Sequence, residues 1–178
     1  VTAPSLTAPG NLTLNCVPDQ SDNQAAITDW LDNYTANDGC DSDVAVTHNF
    51  SGTTINYCTG DDIVVTWTAV DDCGNARTAT ATIVINQDVT APTLTAPANL
   101  TLSCVQNQQD NQAAITDWLD NYTATDGCDS EVSVTHNFSA TLIDYCTGAD
   151  IVVSWTAIDD CGNSSVATST IVVNQDVT

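Results

Sequence analysis

Two stretches of the chain alternate apolar and polar residues with the period of a half-buried β-strand. From position 63 to 70, one face carries Ile63, Val65, Trp67 and Ala69, and the other carries the β-branched residues Val64, Thr66, Thr68 and Val70. Positions 78–86 alternate in the same way. Between them, positions 71–75 read Asp-Asp-Cys-Gly-Asn, a run of turn formers. The pattern predicts a β-hairpin, and Trp67 is a large apolar side chain that the rest of the fold must cover.

Shorter strands are predicted before this hairpin. Pro4 and Pro9 do not fit a central strand, so the chain opens with a kinked edge strand. Alternating leucines at positions 11–16 continue that edge. Positions 44–50 predict a further strand, and positions 51–57 predict a short, weak one.

One segment has a helical period instead. Its apolar residues stand at i, i+3, i+4 and i+7, and they are Ile27, Trp30, Leu31 and Tyr34. The spacing predicts a short amphipathic helix over 24–34, capped by Asp22 or Asn23, with a second copy over 112–122. We interpret Trp30 as a core residue in preference to a ligand-binding aromatic.

The whole pattern occurs twice. Positions 1–88 and 89–176 align without a gap and are identical at 68 of 88 positions, and positions 177–178 match the start of a further repeat. Each repeat is long enough to be one small domain with its own core. The sequence predicts a mostly β protein of two tandem immunoglobulin-like β-sandwich domains, each with a short inserted α-helix and two disulfides.

The charge is strongly one-sided. The chain has 23 acidic residues and a single basic one, Arg77, for a formal net charge of −22. Nothing in it neutralises phosphates, so nucleic acid and anionic membrane surfaces are excluded as partners, and we expect no direct membrane insertion. The absence of lysine also excludes lysine–asparagine isopeptide crosslinks.

Each repeat holds four cysteines, which predict two disulfides. No Cys-x-x-Cys pair is present, which disfavours a zinc site. Strand directions in a sandwich place Cys16 and Cys58 at one end, and Cys40 and Cys73 at the other. The predicted bonds are Cys16–Cys58 and Cys40–Cys73, with their counterparts Cys104–Cys146 and Cys128–Cys161.

Catalytic chemistry finds little support. His48 lies on a predicted strand without a nucleophile or a second histidine nearby, so a packed strand residue is the better interpretation. Asp71 and Asp72 could form a carboxylate pair for hydrolysis, but adjacent residues at a strand end point apart. We expect no enzymatic activity.

The acidic loops suggest a metal instead. In the second repeat they supply Asp126, Asp129, Asp159 and Asp160, and the linker brings Asp88 towards the same end. Ca²⁺ takes six to eight oxygen ligands from such groups. These five residues form a candidate calcium site. The alternative is that the aspartates only cap turns. The short linker, positions 87–91, also predicts that repeats stand end to end as a stiff rod.

These motifs resemble a known family. Thr-Trp-Thr-Ala-Val-Asp-Asp-Cys-Gly-Asn at 66–75, its counterpart at 154–163, and Asp-Val-Thr-Ala-Pro at 88–92 are similar to hyalin-repeat (HYR-like) immunoglobulin-like modules. More closely, they resemble the tandem repeats of SprB-type surface adhesins of gliding Bacteroidetes. The chain departs from ordinary hyalin repeats in its tryptophan-bearing helix and in lacking a cysteine after the Gly-Asn turn.

The resemblance implies a secreted repeat of an extracellular filament on a bacterial cell surface, used in adhesion and gliding motility. Its expected partners are neighbouring repeats of the same chain, with a surface polysaccharide or substratum as further candidates. The alternative function is a carbohydrate- or protein-binding module. Near-identity of the two repeats argues against a specialised ligand site in either.

Overall fold

The computed structural model describes residues 2–52, 54–104, 108–139 and 143–177. The chain divides into two compact units, Val1–Asp88 and Val89–Thr178. The sequence assigns the same first unit and ends the second at 176. The assignment of positions 177–178 to a further repeat stays a prediction, and Thr178 lies outside the described residues.

In the first unit, six strands and one helix follow one another in the described residues. They are β1 (Ser5–Thr7), β2 (Leu12–Leu14), α1 (Ser21–Leu31), β3 (Thr35–Asn37), β4 (Ala45–His48), β5 (Ile63–Val70) and β6 (Ala76–Ile85). The second unit repeats this order with β7 (Thr93–Thr95), β8 (Leu100–Leu102), α2 (Gln108–Leu119), β9 (Thr123–Thr125), β10 (Ser133–His136), β11 (Ile151–Ile158) and β12 (Ser164–Val173). The prediction of a mostly β fold with two sandwich-like domains and one short helix in each is confirmed.

A four-stranded sheet in the order β2-β6-β5-β4 forms the main layer of the first unit, and β1 pairs with β3 in a second, smaller sheet. The predicted hairpin is its centre: β5 and β6 pair antiparallel from Ile63↔Ile83 to Val70↔Ala76. The strand β2 joins β6 in parallel, and β4 closes the other edge antiparallel to β5. The second unit has the same sheets, β10-β11-β12-β8 and β7-β9.

The core lies on one face of the main sheet. Val65, Trp67 and Ala69 of β5 are fully buried there, together with Ile83 of β6. From α1, Ile27 and Trp30 are also buried, which confirms that Trp30 is a core residue. Leu31 of the predicted stripe is half-buried, and Tyr34 lies beyond the end of the helix. Burial of such side chains contributes about 1.5–3 kcal/mol each.

The helix starts and ends three residues earlier than predicted. Its N-terminal cap is Gln20, and Asp19 Oδ1 accepts a hydrogen bond from the Ser21 amide at 2.9 Å. Asn23, predicted as a cap, instead donates its side-chain amide to Asn15 O at 2.8 Å and to the Tyr57 hydroxyl at 2.6 Å. These contacts outside the helix hold Asn23 in the first turn.

One strand is missing from the prediction, and one predicted strand is wrong. Positions 35–37, for which the pattern predicts no strand, form β3, because they pair with the edge strand β1 in the register Ser5↔Asn37 to Thr7↔Thr35. The weak strand predicted over 51–57 is not a strand at 51–52 or 54–57, and Thr53 lies outside the described residues. Tyr57 there begins a turn that ends at Gly60, where a Cβ would stand 2.8 Å from the Gln87 side chain.

Candidate functional site

The turn between β5 and β6 is organised by one buried carboxylate. Asp71 Oδ1 accepts hydrogen bonds from the backbone amides of Asn75 at 2.7 Å and Cys73 at 3.0 Å, while Oδ2 accepts the Asn75 side-chain amide at 2.7 Å. Gly74 turns the chain with a positive φ of 83°. The sequence places a glycine where this conformation is needed.

These hydrogen bonds lower the pKa of Asp71 below its ordinary value, the side-chain amide of Asn75 contributing most. Both of its oxygens already hold the turn together. Asp72 next to it is exposed. The pair therefore does not present two carboxylates to a common substrate, as acid–base hydrolysis requires.

A second acidic loop meets this turn in the first unit. Asp38 Oδ1 accepts the Cys40 amide at 2.8 Å, which bends the loop, and Asp41 Oδ2 accepts the Asp72 amide across the two loops at 3.0 Å. A small cavity of about 60 Å³ opens between them, lined by Thr2, Asp38, Cys40, Asp41, Asp71, Asp72 and Cys73.

The second unit builds the same end from the residues predicted to bind calcium. Asp129 Oδ2 accepts the Asp160 amide at 3.2 Å, and Asp126 Oδ1 accepts the Cys128 amide at 2.7 Å. Asp159 holds Asn163 through both oxygens, at 2.8 and 2.9 Å. The loops that carry these four aspartates thus lie side by side. Each carboxylate bonded in this way also keeps lone pairs with which it could ligate a cation.

Asp88, the fifth predicted ligand, belongs to the first unit and is 9% exposed. Its backbone amide donates to Tyr57 O at 2.9 Å. Asp176 makes the same bond to Tyr145 O at 2.9 Å in the second unit. The position is therefore fixed against the turn before β5 or β11 in each unit.

Half of the cysteines are in disulfides. In the first unit Cys16 and Cys58 are disulfide-bonded, whereas in the second Cys128 and Cys161 are. The thiols of Cys40, Cys73, Cys104 and Cys146 are free. The pairing Cys16–Cys58 and Cys40–Cys73, with its counterparts in the second unit, stays a prediction. The free pair of the first unit, Cys40 and Cys73, lines one cavity.

A larger cavity of about 220 Å³ lies elsewhere in the first unit, beside α1. Its walls are Gln20, Asn23, Gln24, Ile27, Gly52, Thr54 and Ile55. The lining combines side-chain amides with two isoleucines. The sequence does not reveal this cavity, because the amides of α1 have the pattern of an ordinary solvent-facing helix surface.

Of the aromatic side chains predicted to be internal, Trp30, Trp67 and Tyr57 are buried, and Tyr34 is half-buried. Trp67 is fully buried, and its indole Nε1–H donates to Leu31 O at 3.1 Å. Trp30 donates in the same way to Gly10 O at 2.6 Å. Burial raises the pKa of the Tyr57 hydroxyl, which accepts the Asn23 amide. Both tryptophans are therefore used inside the unit and do not stack on a ligand at its surface.

Membrane crossing by a helix is not supported: neither α1 nor α2 has the length and apolar character that a bilayer span requires, within the chain that the structure describes.

Comparisons with known proteins give a limited result. No protein-family model and no curated protein matches the chain. Similar solved structures are Drosophila N-cadherin EC1-4 (13% identity, TM-score 0.39), protocadherin gamma C5 EC1-3 (12%, 0.38) and protocadherin gamma B7 extracellular cadherin domains 1-4 (13%, 0.40). They cover 96%, 96% and 98% of this chain, which spans 49%, 68% and 51% of theirs. At this level of similarity, no functional argument is drawn from them.

Proposed function

We propose that the chain is part of a non-catalytic structural repeat array in a large secreted adhesin filament on a bacterial cell surface, of the hyalin-repeat, SprB-like type. The observation that carries this proposal is the repetition: two units identical at 68 of 88 positions fold into the same strands and the same helix. Their turn motif, Asp-Asp-Cys-Gly-Asn, serves to build the hairpin.

Extended arrays would transmit adhesion or gliding force along the chain, with neighbouring repeats as the main partners and a surface polysaccharide or substratum at the far end. The support for a rod comes from the sequence: the linker, positions 87–91, is too short for a loose tether, and the chain's charge of −22 favours extension. Small-angle scattering of the two-unit chain tests this, and a folded-over pair would contradict it.

Two disulfides per unit belong to this proposal. The pairs are Cys16–Cys58 with Cys104–Cys146, and Cys40–Cys73 with Cys128–Cys161. Two observations support them: members of both pair types are disulfide-bonded, and Cys40 and Cys73 share a cavity. Crosslinks of this kind fit an oxidising, extracellular compartment.

Calcium is the proposed cofactor, with Asp88, Asp126, Asp129, Asp159 and Asp160 as ligands. Support comes from the second unit, where the loops of the last four are joined by the hydrogen bond from Asp160 to Asp129. Carboxylate and backbone oxygens are the ligands that Ca²⁺ prefers. Bound there, calcium would neutralise like charges and stiffen the filament.

The location can be tested on intact source cells. Antibodies raised against the two-unit chain should label non-permeabilised cells, and surface proteolysis should remove both the label and attachment. Labelling only after permeabilisation would overturn the proposal.

A carbohydrate- or protein-binding module is the second candidate function. The observation in its favour is the cavity beside α1, whose amides, Gln20, Asn23 and Gln24, are groups that hydrogen-bond sugar hydroxyls. A glycan array separates the two functions. Binding that Gln24→Ala abolishes would favour the module, and no binding would leave the structural repeat.

A further inference from the structure

The outer face of the main sheet is open in both units. Alternate residues of β5 and β6 point away from the core, and cross-strand partners on this face include Thr66↔Thr80 and Thr68↔Thr78. In β4, Thr47 pairs with Thr68 on the same side. We call this surface the threonine face. In the first unit it consists of Thr13, Ala45, Thr47, Val64, Thr66, Thr68, Val70, Ala76, Thr78, Thr80, Thr82 and Val84.

The second unit keeps the face while changing some of its residues. Its members are Thr101, Ser133, Thr135, Val152, Ser154, Thr156, Ile158, Ser164, Val166, Thr168, Thr170 and Val172. Where the two faces differ, hydroxyl-bearing, β-branched and small residues replace one another. Neither face gains a charge.

The absence of charge on the face contrasts with the strongly acidic character of the rest of the chain. There are 23 acidic residues, yet none lies on either threonine face. Arg77, the one basic residue, pairs with the buried Ala69 and so belongs to the opposite set of alternating positions. The face is thus a large surface of each unit on which another strongly acidic body could rest without direct charge repulsion.

Exposed apolar side chains also collect there. Of the large apolar residues that are exposed in the described chain, Val64 (60%), Val152 (62%), Val166 (64%) and Ile158 lie on the face, and Val89 and Val177 lie outside the strands. Apolar groups rimmed by polar ones mark protein interfaces. The face has no aromatic residue, so it lacks the stacking surface that sugar recognition commonly uses.

We propose that the threonine face binds the same face of a second copy of this chain, so that filaments associate side by side. A two-fold interface presents the same patch twice and must be self-complementary. Threonine and serine hydroxyls both donate and accept hydrogen bonds, so a face built from them satisfies this condition. Its valines then bury against each other, while the acidic loops at the sheet ends stay in solvent.

Salt controls the association in this arrangement. Two chains of charge −22 repel each other before contact, and the repulsion reaches about 30 Å at 0.01 M salt but only about 3 Å at 1 M. The two-unit chain should therefore be monomeric at low salt and form dimers at high salt in a concentration-dependent way. This goes beyond the proposed repeat function, since it concerns contacts between chains.

Sedimentation velocity over a concentration series at both salt levels tests the proposal. The double variant Val64→Asp with Val152→Asp should raise the dimer Kd by more than about tenfold, since like charges would meet in the interface. The matched control, Val89→Asp with Val177→Asp, adds the same charge outside the face and should leave the Kd unchanged. Far-ultraviolet circular dichroism and melting verify that both variants fold.

A charge-reversed partner provides a second test. The Val64→Lys, Val152→Lys chain mixed with the aspartate variant should restore association. A chain that stays monomeric at every salt concentration would overturn the proposal, as would an equal loss in the control variant. Binding of the monomeric chain to insoluble cellulose through Val64 would also overturn the proposal, because the face would then recognise sugar.

Discussion

The rings of Trp30 and Trp67 meet edge to face, with centroids 5.0 Å apart and planes at 76°. Trp118 and Trp155 repeat the arrangement with the same distance and angle. The first tryptophan comes from the helix and the second from a central strand, so the pair joins the helix to the main sheet in each unit. Edge-to-face pairs add about 0.5–1.5 kcal/mol beyond their burial.

Removing one tryptophan ring should therefore make the free energies of unfolding of the two units differ. Trp30→Ala should destabilise the first unit by about 3–5 kcal/mol, because it opens a cavity and leaves Gly10 O without its indole donor. Denaturant unfolding of the full chain, followed by circular dichroism, should split into two transitions. Trp118→Ala should give the mirror result in the second unit, and a single unshifted transition in either variant would contradict this packing.

Acid should weaken the β5–β6 turn through Asp71. The pKa of this carboxyl is lowered by its hydrogen bonds to Asn75, Cys73 and Gly74, so its stabilising contribution is complete above its usual pKa of about 3.9 and is lost as pH falls through the folded value. Asp71→Asn should lower stability at neutral pH and flatten its fall in acid. Urea midpoints from pH 7 to about pH 2 measure this, with the exposed Asp72→Asn as the matched control. Equal curves for wild type and Asp71→Asn would contradict the assignment.

Oxidised protein should contain all four predicted disulfides, each adding about 2–4 kcal/mol. Peptide mapping without reductant should find Cys16 linked to Cys58 and Cys40 linked to Cys73, with the equivalent links in the second unit. Cys40→Ser with Cys73→Ser should lower the melting temperature only of the first unit. A peptide that joins Cys16 to Cys40 would disprove this pairing.

Calcium should raise the melting temperature. At about 100 times its Kd, Ca²⁺ that binds only the folded state adds about 2.7 kcal/mol. The shift, measured against chelator, should disappear in Asp88→Ala. Asp176→Ala removes the equivalent carboxylate from the second unit and should keep the calcium-induced shift in melting temperature. This variant is therefore the matched control. No shift in wild type would exclude calcium, and a shift that survives in Asp88→Ala would place the site elsewhere.

The strongly periodic parts of the fold could be predicted from the sequence. The hairpin is long and alternates strictly, and the stripe ending in Trp30 and Leu31 identifies the helix, so local pattern was sufficient for both. The strand β3 could not be found in this way, since the short segment Thr35–Asn37 becomes a strand only because β1 lies beside it. The helix start was missed for a similar reason: Asn23 has partners at Asn15 and Tyr57, distant in sequence.

The candidate site also has one part that could be predicted from the sequence and one part that could not. The two loops of a unit that are rich in aspartate and contain a cysteine could be predicted to meet at one end, because strand direction alone places them there. The hydrogen bond from the Asp72 amide to Asp41 is an example of the contact that results. The cavity beside α1 was beyond prediction, since its walls come from a helix and a loop whose approach depends on the tertiary fold.

Pulling the two-unit chain from its ends in a single-molecule force measurement tests the central claim, a disulfide-crosslinked structural repeat, most directly. Both units should unfold in separate, similar steps. With Cys16–Cys58 closed, roughly 40 residues of a unit cannot extend, so reduction should lengthen each step by about 140 Å at about 3.3–3.6 Å per residue. Steps of unequal size, or steps that reduction does not lengthen, would contradict the account.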